Sequence, residues 1–134
     1  MRTLRSERLT VKAGDEVVGV RQCVRDFAID ARLSLVDQTK LVTAASELAR
    51  NMVVYGGGGQ VLVEHVEAEG RSEVRVTFED HGPGIGDLAM ALRDGFTTGG
   101  GLGLGLGGAK RLVQHFDIRS ALGQGTMVVI ARWK

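Results

Sequence analysis

Gly99-Gly-Gly-Leu-Gly-Leu-Gly-Leu-Gly-Gly108 puts seven glycines into ten residues and interleaves them with three leucines. What this run is determines what the rest of the chain can be. It is not a Walker A loop, because Lys110 is followed by Arg111 and no Gly-Lys-Ser or Gly-Lys-Thr occurs. The dinucleotide pattern Gly-x-Gly-x-x-Gly is satisfied by Gly103, Gly105 and Gly108, but a polar loop precedes it where a strand is needed. Too little chain follows for further βαβ units, so a classical Rossmann domain is disfavoured. A plain flexible linker does not need alternating leucines, which imply partial burial. The run opens a helical stretch from Gly107 to His115, so its backbone N–H groups and the helix N-terminus can meet phosphate oxygens.

Moving toward the N-terminus, Asp94-Gly-Phe-Thr-Thr98 reads as the start of a mobile loop over 94–101, and Asp87 as the cap of a short helix through Leu92. Before them lies Asp80-His-Gly-Pro-Gly-Ile85, which ends a strand whose Val74, Val76 and Phe78 alternate with polar residues. A carboxylate at a strand end can accept hydrogen bonds from the amino group of an adenine, and glycines beside it let a flat base approach the backbone. Asp, Gly and Pro are also the residues of any ordinary turn. A third polar island, Glu47-Leu-Ala-Arg-Asn51, holds a carboxylate and an amide four residues apart, hence on one helix face. They sit one position before Leu48 and Met52 and so lie at the margin of the apolar stripe. Such a pair can polarise a hydroxyl and offer oxygen ligands to Mg²⁺; alone, it is equally what a solvated helix face carries.

The rest of the chain reads as an α+β sandwich with helices on one face. Leu9 and Val11 alternate in a short strand over Glu7 to Lys12. Val17, Val20, Val24, Phe27 and Ala31 give a helix over about 15–32, with Asp15 near its start. Leu41, Ala45, Leu48, Met52 and Tyr55 give a second helix, beginning after Asp37 and stopped by Gly56-Gly-Gly-Gly59. Val61 and Val63 pair with the 74–78 strand in a hairpin around Glu67-Ala-Glu-Gly-Arg-Ser72. Strand signals at Phe116 to Ala121 and Met127 to Trp133 flank the Gly123-Gln-Gly125 turn. The order is strand, two helices, two strands, helices, two strands.

With 134 residues, 43% hydrophobic and 25% charged, the sequence predicts one domain over 1–134. A net charge of +1 and six aromatics argue against nucleic acid as a partner. The lone Cys23 has no disulfide partner and reads as a core-facing helix residue in a reducing compartment. The N-terminus lacks the apolar segment of a signal peptide and no run of about 18 apolar residues occurs, so a cytoplasmic protein without a membrane span is expected.

Taken together and in this order, the islands resemble the GHKL ATP-binding superfamily of gyrase-type ATPases, MutL and histidine kinases. Glu47 to Asn51 is similar to its N box, Asp80 to Gly84 to its first glycine box and Gly101 to Gly107 to its second. Asp94-Gly-Phe-Thr-Thr98, Lys110-Arg-Leu112 and Gly123-Gln-Gly-Thr126 extend the likeness to serine/threonine switch kinases of the RsbT type. The resemblance covers most of residues 40–132 and implies a Bergerat fold, a two-layer sandwich with a mixed, mostly antiparallel sheet. It implies ATP and Mg²⁺ as cofactors, with Glu47 as general base or orienting residue, Asn51 as the metal ligand, and Asp80 as the adenine reader over Gly82 and Gly84. Gly101, Leu102, Gly103, Leu104 and Gly105 would wrap the phosphates, with Thr97 and Thr98 in the lid and Thr126 supporting the base end. The partners it implies are STAS-domain scaffold or antagonist proteins of the stressosome and a PP2C-type phosphatase. Two departures stand out: Gly108 where such kinases often have proline, which loosens the helix start, and His81 where an amide or small polar residue is usual.

Other readings on the same residues are an anti-sigma factor kinase of the RsbW or SpoIIAB type and a non-catalytic module that uses ATP to switch a binding surface. A histidine kinase fragment is disfavoured, because His65, His81 and His115 are all in the wrong places for a phosphoacceptor.

Overall fold

A computed structural model of the chain describes residues 1–85 and 104–134. The elements, in chain order, are β1 (Arg2–Val11), a single 3-10 turn (Gly14–Glu16), α1 (Val17–Asp30), α2 (Leu35–Gly56), β2 (Gly59–Ala68), β3 (Arg71–Asp80), α3 (Leu104–Arg111), β4 (His115–Ser120) and β5 (Thr126–Trp133). The five strands make one sheet in the order β1-β2-β3-β5-β4, antiparallel in all four pairings. The expected helix cap at Asp87 and the expected mobile loop over 94–101 lie outside the described residues.

β2 and β3 pair without slippage from Gly59 opposite Asp80 to Ala68 opposite Arg71. Their turn is narrower than the 67–72 segment expected: only Glu69 (φ 53°) and Gly70 (φ 78°) are unpaired. Two successive left-handed residues match the right-handed twist of the strands, which fixes the register. With that register, Val61, Val63, Val74, Val76 and Phe78 share one face with Val128 and Ile130, and all are buried. Val20, Val24 and Phe27 of α1 and Leu41, Ala45, Leu48 and Met52 of α2 close over that face. The buried Ala44, Ala45 and Ala49 bring the α2 backbone close to its neighbours.

α2 starts earlier than expected because Ser34 caps it: its Oγ accepts a hydrogen bond from Asp37 N at 3.1 Å. It ends where predicted, with Gly57 left-handed (φ 75°) and Gly58 N donating back to Met52 O at 3.0 Å. β1 runs from Arg2 rather than Glu7. As the edge strand it is exposed over most of its length, so its first half pairs with Glu67 through Glu64 without showing apolar alternation.

α3 differs most, spanning Leu104–Arg111 where Gly107 to His115 was expected. Buried Ala109, with Leu106, Leu112 and Val113 packed against the core, pulls the helix start back into the glycine run. Gly108 therefore falls inside the helix and not at its start. Gly105, Gly107 and Gly108 each cost about 1 kcal/mol relative to alanine in a helix, so α3 relies on its tertiary contacts.

The other sheet face has one buried charge. Glu73 is 2% exposed, and its carboxylate meets Arg71 Nε at 3.2 Å and Arg75 Nη2 at 3.1 Å. Arg71 in turn stacks on the Trp133 ring, 3.9 Å from its centroid. Among the described residues, no helix is long and apolar enough to cross a membrane.

Candidate functional site

The far end of the central strands is built around Asp80. Its backbone pairs with Thr126 on β5, which pairs with Ser120 on β4, so the three residues form one row across the sheet on the helix-facing side. Asp80 is 9% exposed, and its Oδ1 accepts a hydrogen bond from Gly82 N at 2.9 Å. One oxygen is thereby fixed, and the carboxylate keeps acceptor capacity on the other.

Two glycines make this geometry possible by lacking a side chain. A Cβ at Gly82 would lie 2.6 Å from Gly56 Cα, and a Cβ at Gly56 would collide with the Asp80 carboxylate. The end of α2 thus touches the Asp80 turn directly. The following residues are pinned to the β4–β5 end: Gly123 N donates to Pro83 O at 2.7 Å and Ile85 N donates to Ser120 Oγ at 2.7 Å. Ser120 also lies 2.7 Å from Thr126 Oγ1 and donates to Gly125 O at 2.9 Å. Gly84 sits in this packed corner with φ 77°, a left-handed value that glycine adopts without strain.

Glu47 and Asn51 stand on α2 as the spacing predicted, half-buried at the edge of the apolar stripe. Glu47 is 36% exposed and pairs loosely with Arg50 at 3.4 Å, a solvent-screened contact that leaves its carboxylate accessible. Asn51 presents the sharper signal: its Oδ1 is buried and, among the described residues, has no hydrogen-bond partner. An orphaned acceptor costs free energy, and natural folds keep one chiefly where something else satisfies it. Asn51 precedes Gly56 by five residues, roughly 7.5 Å along the helix axis.

Of the other sequence candidates, Leu104 and Gly105 open α3, and Thr97, Thr98, Gly101, Leu102 and Gly103 lie outside the described residues. His81 is exposed, 4.0 Å from Glu79. A cleft of about 390 Å³ at the same strand ends is lined by Glu79, His81, Arg119, Gln124 and Met127 around the Asp80 row. Strand parity puts Glu79, Arg119 and Met127 on the face away from α2, so this cleft backs the row and does not contain Asn51. Among the described residues no three His, Cys, Asp or Glu side chains converge as a metal cage.

Gly56 and Ser120 were missed by the sequence reading. Gly56 looked like the first of four helix-breaking glycines, and only its contact with Asp80 sets it apart. Ser120 carries no motif; its one legible signal is its place opposite Thr126 in a hairpin closed by Gly123 to Gly125.

The family model described as histidine kinase-, DNA gyrase B-, and HSP90-like ATPase matches residues 36–134. Over 118 residues the chain is 42% identical to the serine/threonine-protein kinase RsbT of Bacillus subtilis (strain 168), covering 88% of this chain and 89% of that one. Among solved structures it is similar to the RsbU and RsbW domains of a Mycobacterium tuberculosis protein, with 22% identity and a TM-score of 0.65 over 96% of this chain and 32% of that one. It is also similar to the histidine kinase domain of the blue-light activated histidine kinase of Erythrobacter litoralis EL346, with 21% identity and a TM-score of 0.56 over 92% of this chain and 67% of that one. These two likenesses concern the fold alone.

Proposed function

We propose, from the premise that this chain belongs to the histidine kinase-, DNA gyrase B- and HSP90-like ATPase family and to its RsbT-type serine/threonine-protein kinases, that it moves the terminal phosphoryl group of ATP to a serine or threonine of a STAS-domain regulatory protein. Release from that partner would free it to engage a PP2C-type phosphatase, in the cytoplasm. The observation that carries the nucleotide reading is the junction of Asp80, Gly82 and Gly56 with the unpartnered Asn51 Oδ1 on the same helix.

The roles proposed for the residues are those the family resemblance implies, and for the described ones their surroundings support them. Asp80, held by Gly82 N–H, keeps acceptor capacity for the exocyclic amine of adenine, and the bare backbones of Gly82 and Gly84 take the flat ring. Thr126, hydrogen-bonded to Ser120, supports that end. Leu104 and Gly105 open the helix whose first turn, with Gly101, Leu102 and Gly103 before it, faces the phosphates, and Thr97 and Thr98 belong to the lid. Asn51 fits Mg²⁺: an amide oxygen is a hard ligand, and a single protein ligand suits an ion that keeps most of its waters. When bound, Mg²⁺ neutralises phosphate charge. Glu47, accessible beside Asn51, orients the incoming hydroxyl and accepts its proton as the seryl or threonyl oxygen bonds to the γ-phosphorus and the bond from that phosphorus to the bridging oxygen breaks, ADP leaving with the electron pair.

The test is transfer of labelled phosphate from ATP to purified STAS-domain proteins, with Glu47→Gln as control. Label on a STAS serine or threonine that falls at least a hundredfold with Glu47→Gln supports the reading. Absence of transfer to any STAS protein by a chain that binds ATP would remove the substrate assignment.

A further inference from the structure

We infer that Arg132, acting on Asp37 and on the end of α3, is a positioning residue for the phosphate side of the site; the inference rests on the nucleotide reading above. Arg132 lies on β5, far along the strand from Thr126, and among the described residues its hydrogen bonds go to Asp37 and Leu112. Its Nε and Nη2 donate to Asp37 Oδ1 at 3.1 and 2.6 Å, and its Nη1 donates to Leu112 O at 2.8 Å. The Arg132 and Asp37 side chains are 13% and 21% exposed, so the pair is only partly screened by water. Arg132 holds Asp37's carboxyl below the usual carboxylate range.

The three groups it joins belong to different walls. Asp37 is in the first turn of α2, the helix that carries Glu47 and Asn51. Leu112 follows the last residue of α3, and its carbonyl is one that the helix itself leaves unsatisfied. A second clasp lies beside the first: Gln114 Nε2 donates to Trp133 O at 2.8 Å and Trp133 N donates to Gln114 Oε1 at 3.1 Å. α3 has eight residues, three of them glycine, too short and too weak a helix to set its own direction. Beyond the apolar packing of Leu106 and Ala109, its polar grip is at the C-terminal end, while its N-terminal turn is where Leu104 and Gly105 would meet phosphate. Loosening the grip lets α3 swing relative to α2 without disturbing Asp80, Gly82 or Thr126 at the base end.

This separates two affinities that a general loss of structure would reduce together. The full chain, as wild type, Arg132→Gln, Arg132→Lys and Asp37→Asn, is titrated with Mg-ATP by calorimetry and with adenosine by NMR, after thermal melts establish which variants fold. The expected result is an ATP Kd raised about tenfold by Arg132→Gln, with adenosine Kd unchanged within twofold and Arg132→Lys intermediate. Asp37→Asn should follow the same pattern more weakly, because Leu112 keeps its donor. If Arg132→Gln fails to fold, Arg132→Lys and Asp37→Asn decide by the same ratio. Equal loss of both affinities, or no change in either, overturns the positioning role. A wild-type chain that binds neither ligand overturns the nucleotide reading itself, and this inference with it.

Discussion

Replacing Gly56 by alanine adds one methyl group at the last residue of α2, at a place where there is no room for it. The new Cβ would lie 2.9 Å from Asp80 Cβ and closer still to its carboxylate. Asp80 has little freedom to yield, being buried and held at Oδ1 by Gly82 N. Gly82 cannot retreat toward Gly56 either, since their backbones already touch. Two terms set the cost to the fold. Alanine gains at most about 1 kcal/mol of helix propensity over glycine, and overpacking costs roughly 1–3 kcal/mol, so the net loss is about 0–2 kcal/mol. For a chain of this size that corresponds to a fall in Tm of up to about 8 °C. The cost to binding is larger, because the shifted group, Asp80, is the one proposed to read adenine. A hydrogen bond to a charged group is worth about 1.5–3 kcal/mol, which converts to a Kd for ATP raised roughly 10- to 100-fold. Calorimetric titration of Gly56→Ala with Mg-ATP and with adenosine, beside a thermal melt, measures both effects. Adenosine affinity should fall in step with that for ATP, since the damage is at the base end. A folded alanine variant that binds ATP with the wild-type Kd would refute the placement of adenine against Asp80.

Asn51→Ala should leave the unliganded Tm unchanged or slightly raised, because the lost Oδ1 has no partner, while Mg-dependent ATP affinity falls at least tenfold; melts with and without ligand check it. Ser120→Ala strips Ile85 N and Gly125 O of their shared partner, which should cost about 1–3 kcal/mol in urea unfolding. Burial, followed by the nearby Glu7 carboxylate, pushes the Cys23 thiol up to about 12 from 9.0. The unfolded chain therefore ionises first, and stability complete below pH 9.0 should be lost as pH rises toward about 12. Urea melts at pH 8 and pH 10.5 should show the fall, and Cys23→Ala should flatten it.

The parts of the fold legible in the sequence were those with a local signal. α2 carries an apolar stripe closed by glycines, and Val61, Val63, Val74, Val76 and Phe78 recur at every second position because one face of β2 and β3 is core. Glu47, Asn51 and Asp80 stood out through short-range spacing, and the structure keeps Glu47 and Asn51 at the helix margin where that spacing put them. The first half of β1 gave no such signal, since an edge strand exposed on both faces has no reason to alternate. The extent of α3 was hidden because its glycines disfavour helix and only contacts with Ala109 and Leu106 override them. Long-range partners were hidden as well. Ser120 is 35 residues from Ile85 and Arg132 is 95 from Asp37, and each pair depends on strand order and register that no short window contains.

The buried Glu73, between Arg71 and Arg75 beneath Trp133, constrains how this chain can vary. Removing one guanidinium leaves a carboxylate short of compensation in a place water scarcely reaches, and removing the carboxylate sets two positive charges against each other. Exchanging all three for apolar residues of similar volume avoids both penalties and can be neutral or better. The single substitutions therefore lie in a valley between two viable states, and a double-mutant cycle across these positions should be strongly non-additive. Positions 71, 73 and 75 form one heritable unit, free to change together and resistant to change one at a time.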